Sequence, residues 1–581
     1  MMKQLFQTIL LSILMLLVSN LKAQFQGKVY EPFNDPQVTM YGASILSPWC
    51  GGINSVQINH VDLDNDGKDD LVLYDHNSYI IKTFLNVGIN GEIKYQYNPK
   101  FEKNFPIIYN YLILKDYNCD GIPDLFHKGS PGVSVFKGYY QSNELKFTYY
   151  KDLYFPGMFG PVNVFVQPDD IPSIMDIDSD GDIDVVAFGI NGNYLEYSRN
   201  MQVEMGLPCD SMRMELFDNC YGKFFQTFYR TCILGSSCKG ISGSNKTRHT
   251  GNCFVLLDME GDNDLDFLGG NISFNDVQFL ENTGTNTAAS YTYQDTMWNA
   301  TGHILNLPSW PAPFHVDIDN DNDKDILFTS HSDNPNTANY NAVAYYKNLG
   351  TDMNPNFVYQ HDSLLTPDMV DVGSYSYPTF FDYDKDGKKD LFIGTEGYLD
   401  NITGSKTSQL AYFKNTSSGT SISFELVTKD FLGLSTSNYN GIFPTFGDIT
   451  GDGIDDLLMG NAKGTIAMYK NYAGSNAVIP NFLFSTDSMP GITVGKYSAP
   501  LVYDFNQDGR TDLLVGNQAG NIIYYQDTST NALKKLSLQT ISLGNFKAGD
   551  VGNIYGYCVP FIGKMDNTNK EFLMIGNIDG T

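Results

Sequence analysis

"DLDNDGKDDLVLYD", residues 62–75, sets aspartates at 62, 64, 66, 69 and 70 and then runs straight into an apolar segment. Asp62, Asp64, Asp66 and Asp70 fall at positions 1, 3, 5 and 9 of a short loop, with Gly67 at position 6, where the chain must turn sharply. Hard oxygen ligands at alternating positions around a glycine turn are what a calcium ion requires. Without a cation the carboxylates would repel one another, so the pattern itself asks for a metal. A single copy could equally be an exposed acidic turn.

The chain carries eight copies. The second is Asp116-Asn118-Asp120-Asp124 and the third Asp176-Asp178-Asp180-Asp184. The fourth and fifth are Asp258-Glu260-Asp262-Asp266 and Asp317-Asp319-Asp321-Asp325. Then come Asp382-Asp384-Asp386-Asp390, Asp448-Thr450-Asp452-Asp456 and Asp504-Asn506-Asp508-Asp512. Where aspartate is lost at position 3, Asn, Glu or Thr replaces it, and each still offers an oxygen. The expectation is seven to eight Ca²⁺ per chain. A ninth copy, residues 560–580, keeps the strand and its GN turn but has Lys564 at position 1 and Phe572 at position 9. That copy is expected to be metal-free.

These loops hold more than half of the chain's 66 acidic residues, so the net charge of −29 reads as metal demand. A basic nucleic-acid footprint is missing. Residues 1–23 read as a secretory signal peptide: Lys3, an apolar stretch from Leu5 to Val18, and Leu21-Lys22-Ala23 before Gln24. A single-pass anchor is the alternative. No later stretch reaches the roughly 18–20 apolar residues of a spanning helix. The mature chain is expected to be secreted or displayed at the cell surface.

Export permits disulfides. Cys209, Cys220, Cys232, Cys238 and Cys253 crowd one segment, while Cys50, Cys119 and Cys558 lie far apart. No CxxC pair is present, which favours disulfides over zinc. Successive loops recur about every 60 residues, but Asp176 and Asp258 are 82 apart. The excess falls at about 205–250. It is expected to leave the body as a Cys-rich insertion held by Cys209–Cys220 and Cys232–Cys238, and to present a unique contact surface.

After each loop comes an apolar run, such as VVAFG at 185–189 or LLVGN at 513–517, then a small-residue turn and a strand ending in aromatics. Short strands divided by Gly, Asn and Asp are hairpin grammar, without long helical periodicity. A period near 60 suffices for one four-stranded sheet, and such sheets stack radially into a propeller. The fold class expected is all-β, a β-propeller of about eight (alternatively seven) four-stranded blades.

The DxDxDGxxDLxxG pattern, the GNxxGxIxYY strand and the period resemble FG-GAP/VCBS repeats, the units of the integrin α-subunit propeller. The resemblance spans roughly residues 50–577 and places the propeller at 24–581. It implies Ca²⁺ held by positions 1, 3, 5 and 9 and by the position-7 carbonyl. Asn263 and Asn322 replace the usual glycine in loops four and five. Asn tolerates the left-handed backbone, so both loops are kept. Signal peptide, repeats and insertion together resemble secreted or surface proteins of gliding Gram-negative bacteria, some exported by type IX secretion. The C-terminal sorting domain of such proteins does not appear before Thr581, and the chain is expected to continue beyond it.

For function, the eight histidines are scattered and show no HExxH or other ligand spacing. No nucleophile elbow or phosphate loop stands in a suitable context. Repetition assigns the carboxylates to metal rather than to a glycosidase pair. The chain is therefore read as a non-enzyme. The expected role is an adhesion or recognition module for an extracellular protein or glycan. A structural scaffold within a larger surface protein is the alternative, and a carbohydrate-active enzyme ranks third.

Overall fold

The structure, a computed structural model, describes residues 36–129, 132–227, 229–238, 252–300, 302–307, 309–332, 342–400, 403–530, 534–549, 555–564 and 570–577. The expected signal peptide at 1–23 lies outside these residues, as does the turn of the ninth copy. Among them the chain is all-β. Eight repeats each form a four-stranded antiparallel sheet in sequence order, and Val559–Lys564 pairs with Glu571–Gly576 as a terminal two-stranded sheet. No helix of the described residues is long and apolar enough to cross a membrane.

The first sheet shows why the repeats fold this way. Its strands are Val56–Val61, Asp70–Asp75, Ile80–Asn86 and Tyr95–Tyr97. The second strand, DLVLYD, is buried at all six positions. A strand covered on both faces reads as a continuous apolar run rather than an alternation. The third strand ends in alternation, and fourth strands such as Leu536–Thr540 have no fully buried residue or only a few. The first sheet thus runs from a covered first strand to an outer edge.

Packing between sheets follows chain order, then turns back. The first strands Val56–Val61, Leu112–Lys115, Ser173–Met175, Asn252–Leu257 and Pro311–Val316 pack one on the next, and Pro311–Val316 also packs against Val56–Val61. Hydrogen bonds join the fifth sheet to the first: Tyr95 Oη donates to the Ile318 carbonyl at 3.1 Å and Thr329 Oγ1 to the Val56 carbonyl at 2.6 Å. One buried cluster draws Ile58, Phe126, Val185, Cys253 and Leu327 from these five sheets. A second succession follows, in which Tyr377–Phe381, Phe443–Gly447, Ala499–Tyr503 and Val559–Lys564 pack in turn. Gln37–Met40 joins the sixth sheet by parallel pairing with Ser423–Thr428 and carries Ala43–Ile45 on its other edge, making the sheet six-stranded. The single succession of about eight sheets suggested by the repeat count is therefore interrupted after the fifth. The period specifies a sheet; the side chains between sheets decide which sheet is its neighbour.

The 205–250 segment also departs from expectation. Met214–Tyr221 is the fourth strand of the third sheet, paired with Leu195–Asn200. The short hairpin of Phe224–Gln226 and Cys232–Leu234 then lies against the fourth sheet, where the Cys232 amide donates to Gln294 Oε1 at 2.8 Å. Residues 239–251 lie outside the description. The disulfides are Cys119–Cys209 and Cys220–Cys238, not the two expected pairs. Cys232 and Cys253 are buried free thiols. Pairing by nearness in sequence failed because folding sets Cys119, 90 residues away, at a Cα distance of 5.8 Å from Cys209.

Candidate metal centres

Every acidic loop joins the first and second strands of its sheet, and three sets of hydrogen bonds shape all eight. The position-6 amide, from Gly67 to Gly509, donates to the position-1 aspartate at 2.8–3.2 Å. The position-7 amide donates to position 5 at 2.9–3.1 Å. Position 6 needs positive φ, and Asn263 and Asn322 adopt it at 72° and 74° as the glycines do. Both asparagines thus serve in the turn.

The third set involves position 9. Asp70, Asp124, Asp184, Asp266, Asp325, Asp390, Asp456 and Asp512 each open the second strand, at most 2% exposed. One oxygen of each accepts, at 2.7–2.9 Å, the amide of a residue at or near the end of the third strand. In seven loops the other oxygen accepts the position-2 amide at 2.9–3.3 Å. Position 9 therefore latches loop to sheet. Each carboxylate oxygen has further lone-pair capacity, so this use leaves room for a cation.

What the backbone does not satisfy is informative. Asp64 Oδ1, Asp178 Oδ1, Asp264 Oδ1, Asp319 Oδ1, Asp382 Oδ1 and Asp456 Oδ2 are buried without a hydrogen-bond partner, as is Thr450 Oγ1. They come from six of the eight loops. Burying an unpaired carboxylate oxygen is costly, and burial pushes the Asp184 carboxyl up to about 8 and those of Asp70 and Asp325 to about 7. Carboxylates converge within 4.8 Å in Asp62-Asp64-Asp66, Asp176-Asp178-Asp184, Asp258-Glu260-Asp266 and Asp317-Asp319-Asp325. These clusters could hold metal ions. In the second and eighth loops the position-3 asparagines instead donate to a loop carboxylate, Asn118 to Asp124 at 2.7 Å and Asn506 to Asp508 at 3.0 Å.

One family model matches the chain: the FG-GAP repeat, at residues 497–533. The match covers the eighth loop and the strands around it. Comparison with curated proteins gives no match. Solved structures similar to the chain include an Agrocybe aegerita lectin described by its specific recognition of non-reducing terminal N-acetylglucosamine. It is 16% identical, covers 75% of this chain and 91% of its own, and has a TM-score of 0.25. Another is an ancestral GH74 enzyme, 10% identical, covering 85% of this chain and 63% of its own, with a TM-score of 0.27. At such values no activity passes from either protein to this one.

Around the acidic loops the structure adds residues that position counting missed. Glu204, beyond the third strand of its sheet, joins Asp178 and Asp180 within 4.8 Å. The recurring Asn at the end of the third strand (Asn86, Asn200, Asn282, Asn348, Asn415, Asn471) supplies six of the latch amides. Its sixfold recurrence was a signal in plain view. Two of the scattered histidines also meet: the rings of His76 and His331 lie 4.5 Å apart, and His331 is 1% exposed. His60 and His315 are first-strand residues.

Proposed function

We propose that the chain is an exported or surface-displayed recognition module of β-propeller type, stiffened by calcium in its eight FG-GAP-type loops. The observation that carries the calcium reading is the set of buried, partnerless carboxylate oxygens at the loop centres. Several converging carboxylates on a flexible turn suit Ca²⁺, whereas Mg²⁺ keeps its waters and takes only one or two. The residues that would hold the ion are those at positions 1, 3, 5 and 9 of each loop, with Glu204 added to the third. Bound calcium would supply the positive charge that these oxygens lack.

We read the return contact from fifth sheet to first as grouping the first five repeats into one array of blades, with the later repeats as a second. Rigid arrays present their connecting segments as contact surfaces. The second array carries a groove of about 570 Å³ lined by Asn438, Tyr439, Asn440, Asn461, Lys463 and Phe484, among others. Its size lies in the range of ligand pockets, and amides beside aromatic rings suit a polar ligand such as a glycan. We assign the chain to binding rather than catalysis, because its repeated carboxylates already serve the loop turns.

Two measurements test this. Metal analysis of dialysed protein should find seven to eight calcium ions per chain; fewer than four ends the calcium reading. Glycan and matrix-protein arrays probed with and without EDTA should reveal a ligand whose binding weakens on chelation.

A further inference from the structure

The latch at position 9 fixes the register of the third strand, and so decides which side chain hangs over the metal loop. That side chain belongs to the residue just before the latched amide. In five sheets it is a cation resting on the ligand carboxylates at position 3 or 5. Lys137 meets Asp120 at 3.1 Å, Arg199 meets Asp178 at 3.6 Å, Lys414 meets Asp384 at 2.6 Å and Lys470 meets Asp452 at 2.9 Å. Lys347 bridges Asp319 and Asp321, the second at 3.0 Å. The eighth sheet has Gln526 there, but Arg510 within its loop reaches Asp508 at 2.6 Å.

Two sheets differ. The first has Leu85 at this position, and Lys68 of its loop turns away to the Gly88 carbonyl at 3.0 Å. The fourth has Glu281, which adds its charge to those of Glu260 and Asp264. Asp264 is 8% exposed and its Oδ1 has no partner. Among the described residues no lysine or arginine pairs with a ligand carboxylate of either loop.

We propose that a cation paired with the loop carboxylates, in five sheets the residue preceding the latch and in the eighth Arg510, sets how tightly each loop binds its ion. Lys137, Arg199, Lys347, Lys414 and Lys470 act as built-in counter-ions. They hold their loops in shape without metal and must yield charge to an incoming divalent cation. Loops one and four have no such substitute and depend on the ion. The inference rests on the calcium reading. A fixed unit charge about 5 Å from a divalent ion, even in high dielectric, corresponds to roughly tenfold or more in affinity.

The test titrates calcium calorimetrically into the full, EDTA-stripped chain. Two tight and six weaker sites are expected. Lys347→Gln should move one site to the tight class, tightening it about tenfold, and should lower the melting temperature of the metal-free protein, because Asp319 and Asp321 lose their counter-charge. Glu281→Lys should do the reverse, removing one tight site. If wild type binds about eight ions and neither variant changes the two classes, the inference is overturned while the calcium reading stands. If wild type binds no calcium, both fall.

Discussion

Replacing Asp184 by alanine separates the two jobs of an acidic loop. Asp184 accepts the Asn200 amide at 2.7 Å, the Ile177 amide at 3.1 Å and the Tyr197 hydroxyl at 2.9 Å, all at a fully buried position. Alanine strands three donors. At about 1–3 kcal/mol per buried group left unpaired, partly relieved by relaxation, the cost should be about 3–5 kcal/mol. The cost should persist in EDTA, because the three donors are protein groups. Asp178→Ala is the contrast. Its carboxyl is raised first by burial and then by Asp180 and Glu204, with Arg199 at 3.6 Å as its charged partner. Without calcium its removal should cost far less than that of Asp184, since it relieves repulsion from Asp180 and Glu204 while Arg199 keeps Glu204 as a partner at 2.9 Å. With calcium it should lose about one ion. Urea unfolding in EDTA and in calcium gives the stabilities. Hydrogen exchange across 177–200 locates the opening, which is needed because a chain of this size need not unfold in two states. A cost below about 1 kcal/mol for Asp184→Ala in EDTA would refute the latch.

Peptide mapping without reductant should recover Cys119–Cys209 and Cys220–Cys238, with Cys232 and Cys253 as thiols. Cys209→Ser should destabilise by up to about 4.6 kcal/mol, the chain-entropy value for a loop of this length, and a map showing Cys209 joined to Cys220 would overturn the assignment. Acid should weaken the fold through His331, which burial pushes down to about 3. A histidine held neutral in the fold contributes stability above its unfolded value of about 6.5, and that contribution is lost as pH falls toward the folded value, about 2.5 kcal/mol by pH 4.5. His76 faces it and the Asp169 carbonyl lies alongside. His331→Gln should flatten that part of the pH dependence, and identical slopes for the two proteins would contradict it.

Much of the molecule is legible in the chain because it is local. A loop's turn is made by hydrogen bonds within nine residues, so Asp62, Gly67 and Asp70 announce their places without knowledge of anything distant. The apolar run after each loop likewise announces a covered strand, and the change from DGxxD to DNxxD in loops four and five could be judged from backbone sterics alone. The tertiary structure decided whatever depends on residues far apart in sequence. No local rule sets Cys119 beside Cys209, returns Pro311–Val316 to Val56–Val61, or brings His76 to His331. The latch lies between these cases. Asp70 and Asn86 are both visible as recurring letters, but only the register of three paired strands makes one accept the other's amide and sets the preceding side chain over the loop. Repetition in sequence records what each sheet needs for itself, while contacts between sheets depend on packing that the repeat does not encode.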